Sequence, residues 1–277
     1  GVDVNADKVA SINSGAAPIV EPDISEFIAK AQKQGLLKAT VSSAEGIQNT
    51  DVSFICVGTP SQANGSLDLT HMKRVCEDIG LALRDKKTPH TVVFRSTTLP
   101  GTTEDVAIPI LEKHSGKTVG NGLFVCYNPE FLREGTSVKD YYHPPKIVIG
   151  ERQAGEGDVV EEIYAGITAP TIRTSIRAAE MVKYSDNAFH ALKVTFANEI
   201  GNICKRLDID SHAVMDIFCQ DTKLNLSKVY LKPGFAFGGS CLPKDLRALS
   251  YQAKRTDVEV PVLNAILQSN AVHIKGV

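Results

Sequence analysis

Apolar positions in the first half of the chain come in short dense runs separated by longer stretches of mixed polarity. Val, Ile and Phe crowd Asp51 to Val57, Thr91 to Arg95, Leu123 to Tyr127 and Lys146 to Ile149. Between and around these runs, apolar residues recur every three or four positions at Ile24 to Gln34, Leu69 to Arg84, Thr103 to His114 and Gly157 to Ile167. The runs predict strands and the spaced stretches predict helices. Their alternation predicts a parallel sheet with crossover helices. The opening residues, Gly1-Val2-Asp3-Val4-Asn5, read as the end of a further strand. Ligands of such sheets bind beyond the carboxyl ends of the strands. Gly58-Thr59-Pro60, Ser96-Thr97-Thr98 and Asn128-Pro129-Glu130-Phe131-Leu132-Arg133-Glu134 each directly follow a predicted strand. Three polar loops are therefore expected on one rim.

From about Ser175 the pattern changes. Arg177 to Leu207 contains no proline and a single glycine, which predicts one long helix. At about 100° per residue, Asn187, His190, Val194, Asn198 and Gly201 all fall within about 60° of the direction of Lys183. A solvated face would be dominated by Lys and Glu, and Asn is a poor helix former. A stripe of Asn, His and one Lys is better explained as a site. Further helices are expected at Ser211 to Cys219, Pro243 to Arg255 and Pro261 to Val272. The fold class is thus α/β: a Rossmann-like sheet domain over 1–174, then an all-helical domain over 175–277 built on the long helix.

With 43% hydrophobic and 22% charged residues, the 277-residue composition is that of an ordinary globular chain. A net charge of −2 gives no basic footprint for nucleic acid. No apolar run reaches membrane-spanning length and no signal peptide is visible, so no membrane role is expected. The six cysteines form no Cys-x-x-Cys and have no His at metal-ligand spacing, so no metal site is expected. Free thiols in a reducing, cytoplasmic compartment are the simplest reading.

One of those thiols sits apart. In Gly234-Phe235-Ala236-Phe237-Gly238-Gly239-Ser240-Cys241-Leu242-Pro243-Lys244-Asp245, a cysteine lies between a glycine-rich loop and a helix start. Pro243 suits the first helical position and Asp245 the first turn. Cys241 would then lie at the positive end of a helix beside Lys244, and both features favour the thiolate. Gly238 and Gly239 let backbone N–H groups approach a ligand. The loop reads as one for covalent catalysis, against the alternative of one more small buried hydrophobe.

A thiol, a Lys with an Asn one turn on, and acidic loops at a sheet rim together resemble the UDP-glucose/GDP-mannose dehydrogenase family. The motifs are Val2-Asp3-Val4-Asn5, Val57-Gly58-Thr59-Pro60, Arg95-Ser96-Thr97, Asn128-Pro129-Glu130-Phe131-Leu132, Lys183 with Asn187, and Phe237 to Asp245. The variants Pro233 to Phe237 and Lys193 to Asn202 look most like the branch acting on GDP-mannose. The resemblance implies oxidation of a nucleotide-sugar C6 alcohol to the carboxylate, with two NAD+ reduced in succession. On that branch the product is GDP-mannuronate, an alginate precursor. The resemblance makes Cys241 the covalent nucleophile. Lys183 and Asn187 stabilise oxyanions, with Asp245 holding a water. Glu130 or Glu134 assists hydrolysis, and Glu134 also contacts substrate. Asp3, Lys8, Thr59, Thr97 and Lys244 are implied for NAD, and an Asp at position 3 disfavours the phosphate of NADP. His190, Asn198, Tyr230 and Lys232 are implied for the nucleotide sugar. Lys232 stands where the branch often has Arg, so bidentate phosphate geometry is lost there. A homodimer through the long helix is implied too.

The sequence departs from the family in two ways. A Gly-x-Gly-x-x-Gly fingerprint should precede the acidic residue by about 20 positions, yet Asp3 is the third residue. The third domain of the family is likewise not in this chain. The expectation is a piece of a longer enzyme that binds NAD poorly and is inactive by itself. Three rivals remain: UDP-glucose or UDP-N-acetylhexosamine as substrate, a two-electron β-hydroxyacid dehydrogenase with no use for Cys241, and a non-catalytic dimerisation module.

Overall fold

A computed structural model of the chain describes residues 1–206, 208–222, 234–255, 257 and 260–276. The chain divides into two compact units: Gly1–Thr59 with Leu69–Met181, and Pro60–Asp68 with Val182–Val277.

The first unit carries α1 (Ala6–Asn13), α2 (Ile24–Lys33), α3 (Ser43–Gln48), β1 (Val52–Ile55), α4 (Thr70–Leu83) and β2 (His90–Phe94). A π-helical stretch, Thr103–Ala107, then runs into α5 (Ile108–Ser115). Pro109 accounts for the widening: it has no N–H to give the carbonyl of Asp105, and its ring crowds that carbonyl. β3 (Leu123–Tyr127), α6 (Ser137–Tyr142), β4 (Ile147–Gly150), α7 (Asp158–Ile163) and β5 (Thr171–Thr174) complete the unit, with the first residues of α8 (Ile176–Arg206).

The five strands lie in chain order, β1-β2-β3-β4-β5. β2 and β4 are buried along their whole length, while β1 and β5 are partly exposed. Val93, Cys126, Ile147, Ile149, Val160 and Tyr164 pack into one cluster against the sheet. β1, β2 and β3 are parallel, and so are β4 and β5. The expectation of a wholly parallel sheet needs one correction: β3 and β4 are antiparallel, joined at Tyr127 and Gly150. The length of the connecting helix does not set the reversal, since α6 and α7 are both six residues long and β4 and β5, joined through α7, are parallel.

Two further expectations are corrected. Residues 1–5 form no strand: Val2 makes a single parallel bridge to Thr40, and Asn5 turns the chain into α1 by accepting from the N–H groups of Asp7 and Lys8. In the second unit, α10 (Cys241–Arg255) begins at Cys241 rather than Pro243. The first four N–H groups of a helix have no internal acceptor, so Pro243 loses nothing as the third residue.

The second unit is helical, with α9 (Ser211–Phe218) capped by the Asp210 carboxylate and α11 (Pro261–Gly276) following α10. Phe237, Leu246, Ile266, Ala188 and Ala191 form its main cluster, joining α8, α10, α11 and the loop before Cys241. Ala197 of α8 packs separately against Met215 and Cys219. Among the described residues, no helix is long and apolar enough to cross a membrane.

Candidate active-site residues in the two units

In the second unit the polar stripe of α8 meets α10. Lys183 and Asn198 are buried, Asn187 and His190 half-buried, so this stripe is not a solvated face. Asn187 donates its Nδ2–H to Oδ2 of Asp245, which is 2% exposed. Among the described residues nothing donates a hydrogen bond to Oδ1 of Asp245, which lies 3.4 Å from Nζ of Lys244. A buried carboxylate oxygen with unused acceptor capacity is costly unless something donates to it. Lys183 stands one turn before Asn187 on α8, and Cys241 one turn before Asp245 on α10. The Asn187–Asp245 bond therefore joins the helix carrying the ammonium to the helix carrying the thiol.

Cys241 is exposed, with Sγ 3.8 Å from Oγ of Ser240. As the first residue of α10 it lies among backbone N–H groups that have no helical acceptor. It is not walled off in the core. Gly239 has φ +75°, which L side chains rarely adopt, so glycine is required there by conformation. Beside Gly238, by contrast, no atom of the described residues lies within reach of a Cβ.

The loop leading to Cys241 is held from two helices. Oδ1 of Asn198 accepts from Gly234 N–H at 2.9 Å, and its Nδ2–H reaches Phe235 O at 3.4 Å. His273 donates from Nε2 to Gly234 O at 2.8 Å. Asn270, 9% exposed, accepts from Phe237 N–H and donates to Phe237 O, both at 2.9 Å. Asn198 was expected to hold substrate; its carboxamide is on this backbone. Asn270 and His273 were not anticipated. Tyr230 and Lys232 lie outside the described residues.

In the first unit, the parallel β1, β2 and β3 put their three polar loops on one rim, as the pattern predicted. The loops are tied to one another. The Thr59 hydroxyl donates to Thr97 O at 2.8 Å, and the Ser96 hydroxyl to Val57 O at 2.7 Å. Arg95 donates to Asn128 Oδ1 at 2.8 Å and to the Tyr164 hydroxyl at 2.7 Å, which donates in turn to Asn128 Oδ1. Asn128 Nδ2–H closes the group on Val148 O at 2.9 Å. This network fixes the root of the loop bearing Glu130 and Glu134.

Further along, Oε2 of Glu130 accepts from Leu132 N–H at 2.6 Å, while Glu134 is exposed. The far end of the loop rests on Glu21, which accepts from Gly135 and Ser137 N–H at 3.0 and 2.8 Å; these bonds hold its carboxyl below the usual range. Asp140 takes the guanidinium and N–H of Arg133 and the Thr136 hydroxyl, and the Arg133 bonds bring its pKa down to about 2. A fully buried carboxylate, Glu180 at the start of α8, accepts from Gly101 N–H, Thr103 N–H and the Thr98 and Thr103 hydroxyls. Burial raises its pKa even against these four donors. Arg95, Ser96 and Asn128 stood inside motifs that the sequence singled out; Tyr164, Glu21, Asp140 and Glu180 did not.

Asp3 remains half-exposed, with Oδ1 accepting from Asn5 N–H and Oδ2 3.8 Å from the Lys8 ammonium. Its unshared oxygen lone pairs suit a vicinal diol such as a ribose.

Residues 1–168 match the UDP-glucose/GDP-mannose dehydrogenase family, NAD binding domain, and residues 177–272 match the central domain of the same family. The chain is 54% identical over 276 residues to a GDP-mannose 6-dehydrogenase of Pseudomonas savastanoi pv. phaseolicola, covering 100% of this chain and 63% of that protein. It is 40% identical to a UDP-glucose 6-dehydrogenase of Haloferax volcanii, covering 97% and 63%. Among solved structures, a ternary complex of GDP-mannose dehydrogenase from Pseudomonas aeruginosa matches at 52% identity with a TM-score of 0.81, over 99% of this chain and 63% of that one. A UDP-glucose dehydrogenase from Pyrobaculum islandicum matches at 35% identity with a TM-score of 0.93, over 98% and 62%. The chain thus spans less than two thirds of the length of the relatives it matches.

Proposed function

Because the chain belongs to the UDP-glucose/GDP-mannose dehydrogenase family, we propose that it is the NAD-binding and central part of an enzyme that oxidises GDP-mannose at C6 to GDP-mannuronate. The observation that carries this reading is Asp245: a buried carboxylate, tied to Asn187 through one oxygen and, among the described residues, without a hydrogen bond on the other, one helical turn from an exposed thiol. The choice of GDP-mannose over a UDP sugar rests on the higher identity to the GDP-mannose enzymes.

We assign NAD to Asp3, Lys8, Thr59, Thr97 and Lys244, with Asp3 accepting from the ribose hydroxyls. Bound NAD+ supplies the acceptor for both hydrides, one cofactor molecule per oxidation. Lys183 and Asn187 donate to the C6 oxygen and stabilise its negative charge as each oxidation proceeds. Cys241 acts between the two oxidations: its sulfur adds to the aldehyde carbon, forming a C–S bond, and the resulting thiohemiacetal keeps the half-oxidised sugar in place. After the second oxidation the same carbon is a thioester. Water held by Asp245, with Glu130 or Glu134 taking its proton, breaks the C–S bond, returns the thiol and releases the carboxylate. His190, Tyr230 and Lys232 serve the nucleotide sugar, Asn198 acts on it through the loop backbone that its carboxamide holds, and Glu134 also contacts it.

Phe189 and Phe196 are exposed on α8 two turns apart, which supports a homodimer through that helix. The six free cysteines support a reducing, cytoplasmic location.

The test is NADH stoichiometry in the full-length protein with GDP-mannose, UDP-glucose and UDP-N-acetylhexosamines. Two NADH per GDP-mannose are expected, and Cys241→Ser should stop acid formation while retaining cofactor binding. One NADH per substrate would assign two-electron chemistry instead, and turnover of the UDP sugars alone would move the substrate.

A further inference from the structure

We propose that Asn270 of α11 is a positioning residue that sets where the Cys241 thiol stands; this rests on the reading of Cys241 as nucleophile. The Asn270 carboxamide closes on both polar groups of Phe237, N–H to Oδ1 and O to Nδ2–H, each at 2.9 Å. One donor and one acceptor on the same residue leave no ambiguity in which way the amide points. Asn270 thereby pins a single residue of the loop, Phe237, which is itself buried at 7% exposure.

Three residues separate that pin from the sulfur: Gly238, Gly239 and Ser240. Glycines lose more conformational freedom on ordering than any other residue. The sulfur therefore takes its position from the two ends of this short span. One end is Phe237, held by Asn270. The other is α10, whose Leu246 packs in the same buried cluster as Ile266 of α11. Ile266 and Asn270 are one turn apart, so a single face of α11 holds both the helix that begins at Cys241 and the loop that delivers it. Asn198 and His273 hold the loop further back, at Gly234 and Phe235.

A buried asparagine could instead serve stability alone, and the chain supplies the control. Asn13 in the first unit, exposed where Asn270 is buried, makes the same reciprocal pair with Ala39, at 2.8 and 2.9 Å, on a part of the chain that does not carry the thiol.

In the full-length protein, Asn270→Ala should lower turnover per folded molecule about tenfold, with the KM for the nucleotide sugar within twofold of the parent. Yield should fall from two NADH per sugar towards one, with aldehyde trapped by hydroxylamine, because a displaced sulfur impairs the covalent step more than the first oxidation. Asn13→Ala should lower stability and leave the two-NADH yield unchanged. Asn270→Ala with the parent's turnover and yield overturns the proposal. If Cys241→Ser also yields two NADH, the nucleophile reading itself fails; if Cys241→Ser stops at aldehyde and Asn270→Ala does not, only the positioning role fails. Hydrogen exchange on the unsubstituted protein covers the case of a variant that does not fold. The Phe237 amide should exchange at least a hundredfold more slowly than that of Gly238, and equal rates would overturn the proposal.

Discussion

Lys183 and Asn187 share a helix and a proposed task, but their surroundings differ. Lys183 is 6% exposed, whereas Asn187 is half-buried and committed through one N–H to Asp245. A buried ammonium is worth most where negative charge develops, because little water screens it. Lys183→Ala in the full-length enzyme is therefore expected to lower kcat by two orders of magnitude or more while KM changes a few-fold. Loss shared equally between kcat and KM would assign Lys183 to uniform substrate binding instead. The candidate reactive residues could be named from the sequence because Cys, Lys and Asn at these spacings have few structural uses. The residues that hold them were not. Asn270 and His273 lie in a helix whose apolar pattern is continuous around them, and Tyr164 joins Arg95 and Asn128 across 69 and 36 positions of sequence. Hydrogen bonds to backbone leave no periodic trace, and a side chain that acts through a loop looks the same in sequence as one that faces water.

At the scale of elements, β4 approaches the start of α8 closely, against backbone as well as side chain. A Cβ on Gly150 would lie 2.8 Å from the Ala179 side chain, 2.9 Å from Ile176 Cα and 3.3 Å from Ser175 O. Two of these three are backbone atoms of the turn that starts α8, so they cannot swing aside. Gly150→Ala is expected to cost about 1–3 kcal/mol, the usual range for overpacking. It would be read as a lower urea midpoint with an unchanged slope; a midpoint equal to the parent's would mean that α8 starts further from the sheet. The main elements were read almost to the residue wherever a dense apolar run or a long helical period marked them, as in β1 to β4, α4 and α8. β5 was missed because Thr171–Thr174 is a partly exposed edge strand without an apolar run. α1, α3 and α6 were missed because each is at most eight residues long with no buried stripe. The antiparallel turn from β3 to β4 was missed because alternation of strands and helices implies crossovers, and helices of the same six-residue length join β4 to an antiparallel neighbour on one side and a parallel one on the other.

At the scale of the whole molecule, the response to pH follows from which buried groups titrate differently once folded. His90, the first residue of β2, is fully buried. It donates from Nδ1 to Thr50 O at 3.0 Å and accepts the Ser53 hydroxyl on Nε2 at 2.8 Å, an arrangement that needs the neutral ring. Burial, with Lys86 nearby, pushes its pKa down from 6.5 to about 4. In the unfolded chain His90 takes up a proton as pH falls through 6.5, while the folded protein resists until about pH 4. Its contribution is thus complete above pH 6.5 and is lost as pH falls towards 4, to a total of roughly 3 kcal/mol. Asp140, held down at about 2, keeps its own contribution through this window and loses it only in stronger acid. Glu180 works the other way, since its raised pKa means that protonation relieves a cost as pH falls. Comparing His90→Asn with the parent cancels both carboxylates. Asn retains a donor for Thr50 O and leaves the Ser53 hydroxyl without its acceptor, so the variant starts less stable at pH 7.5. Between pH 7.5 and 4.5 its urea midpoint should fall markedly less than the parent's. Parallel curves would show that a proton reaches the folded imidazole as easily as the unfolded one, and that Thr50 and Ser53 do not enclose it.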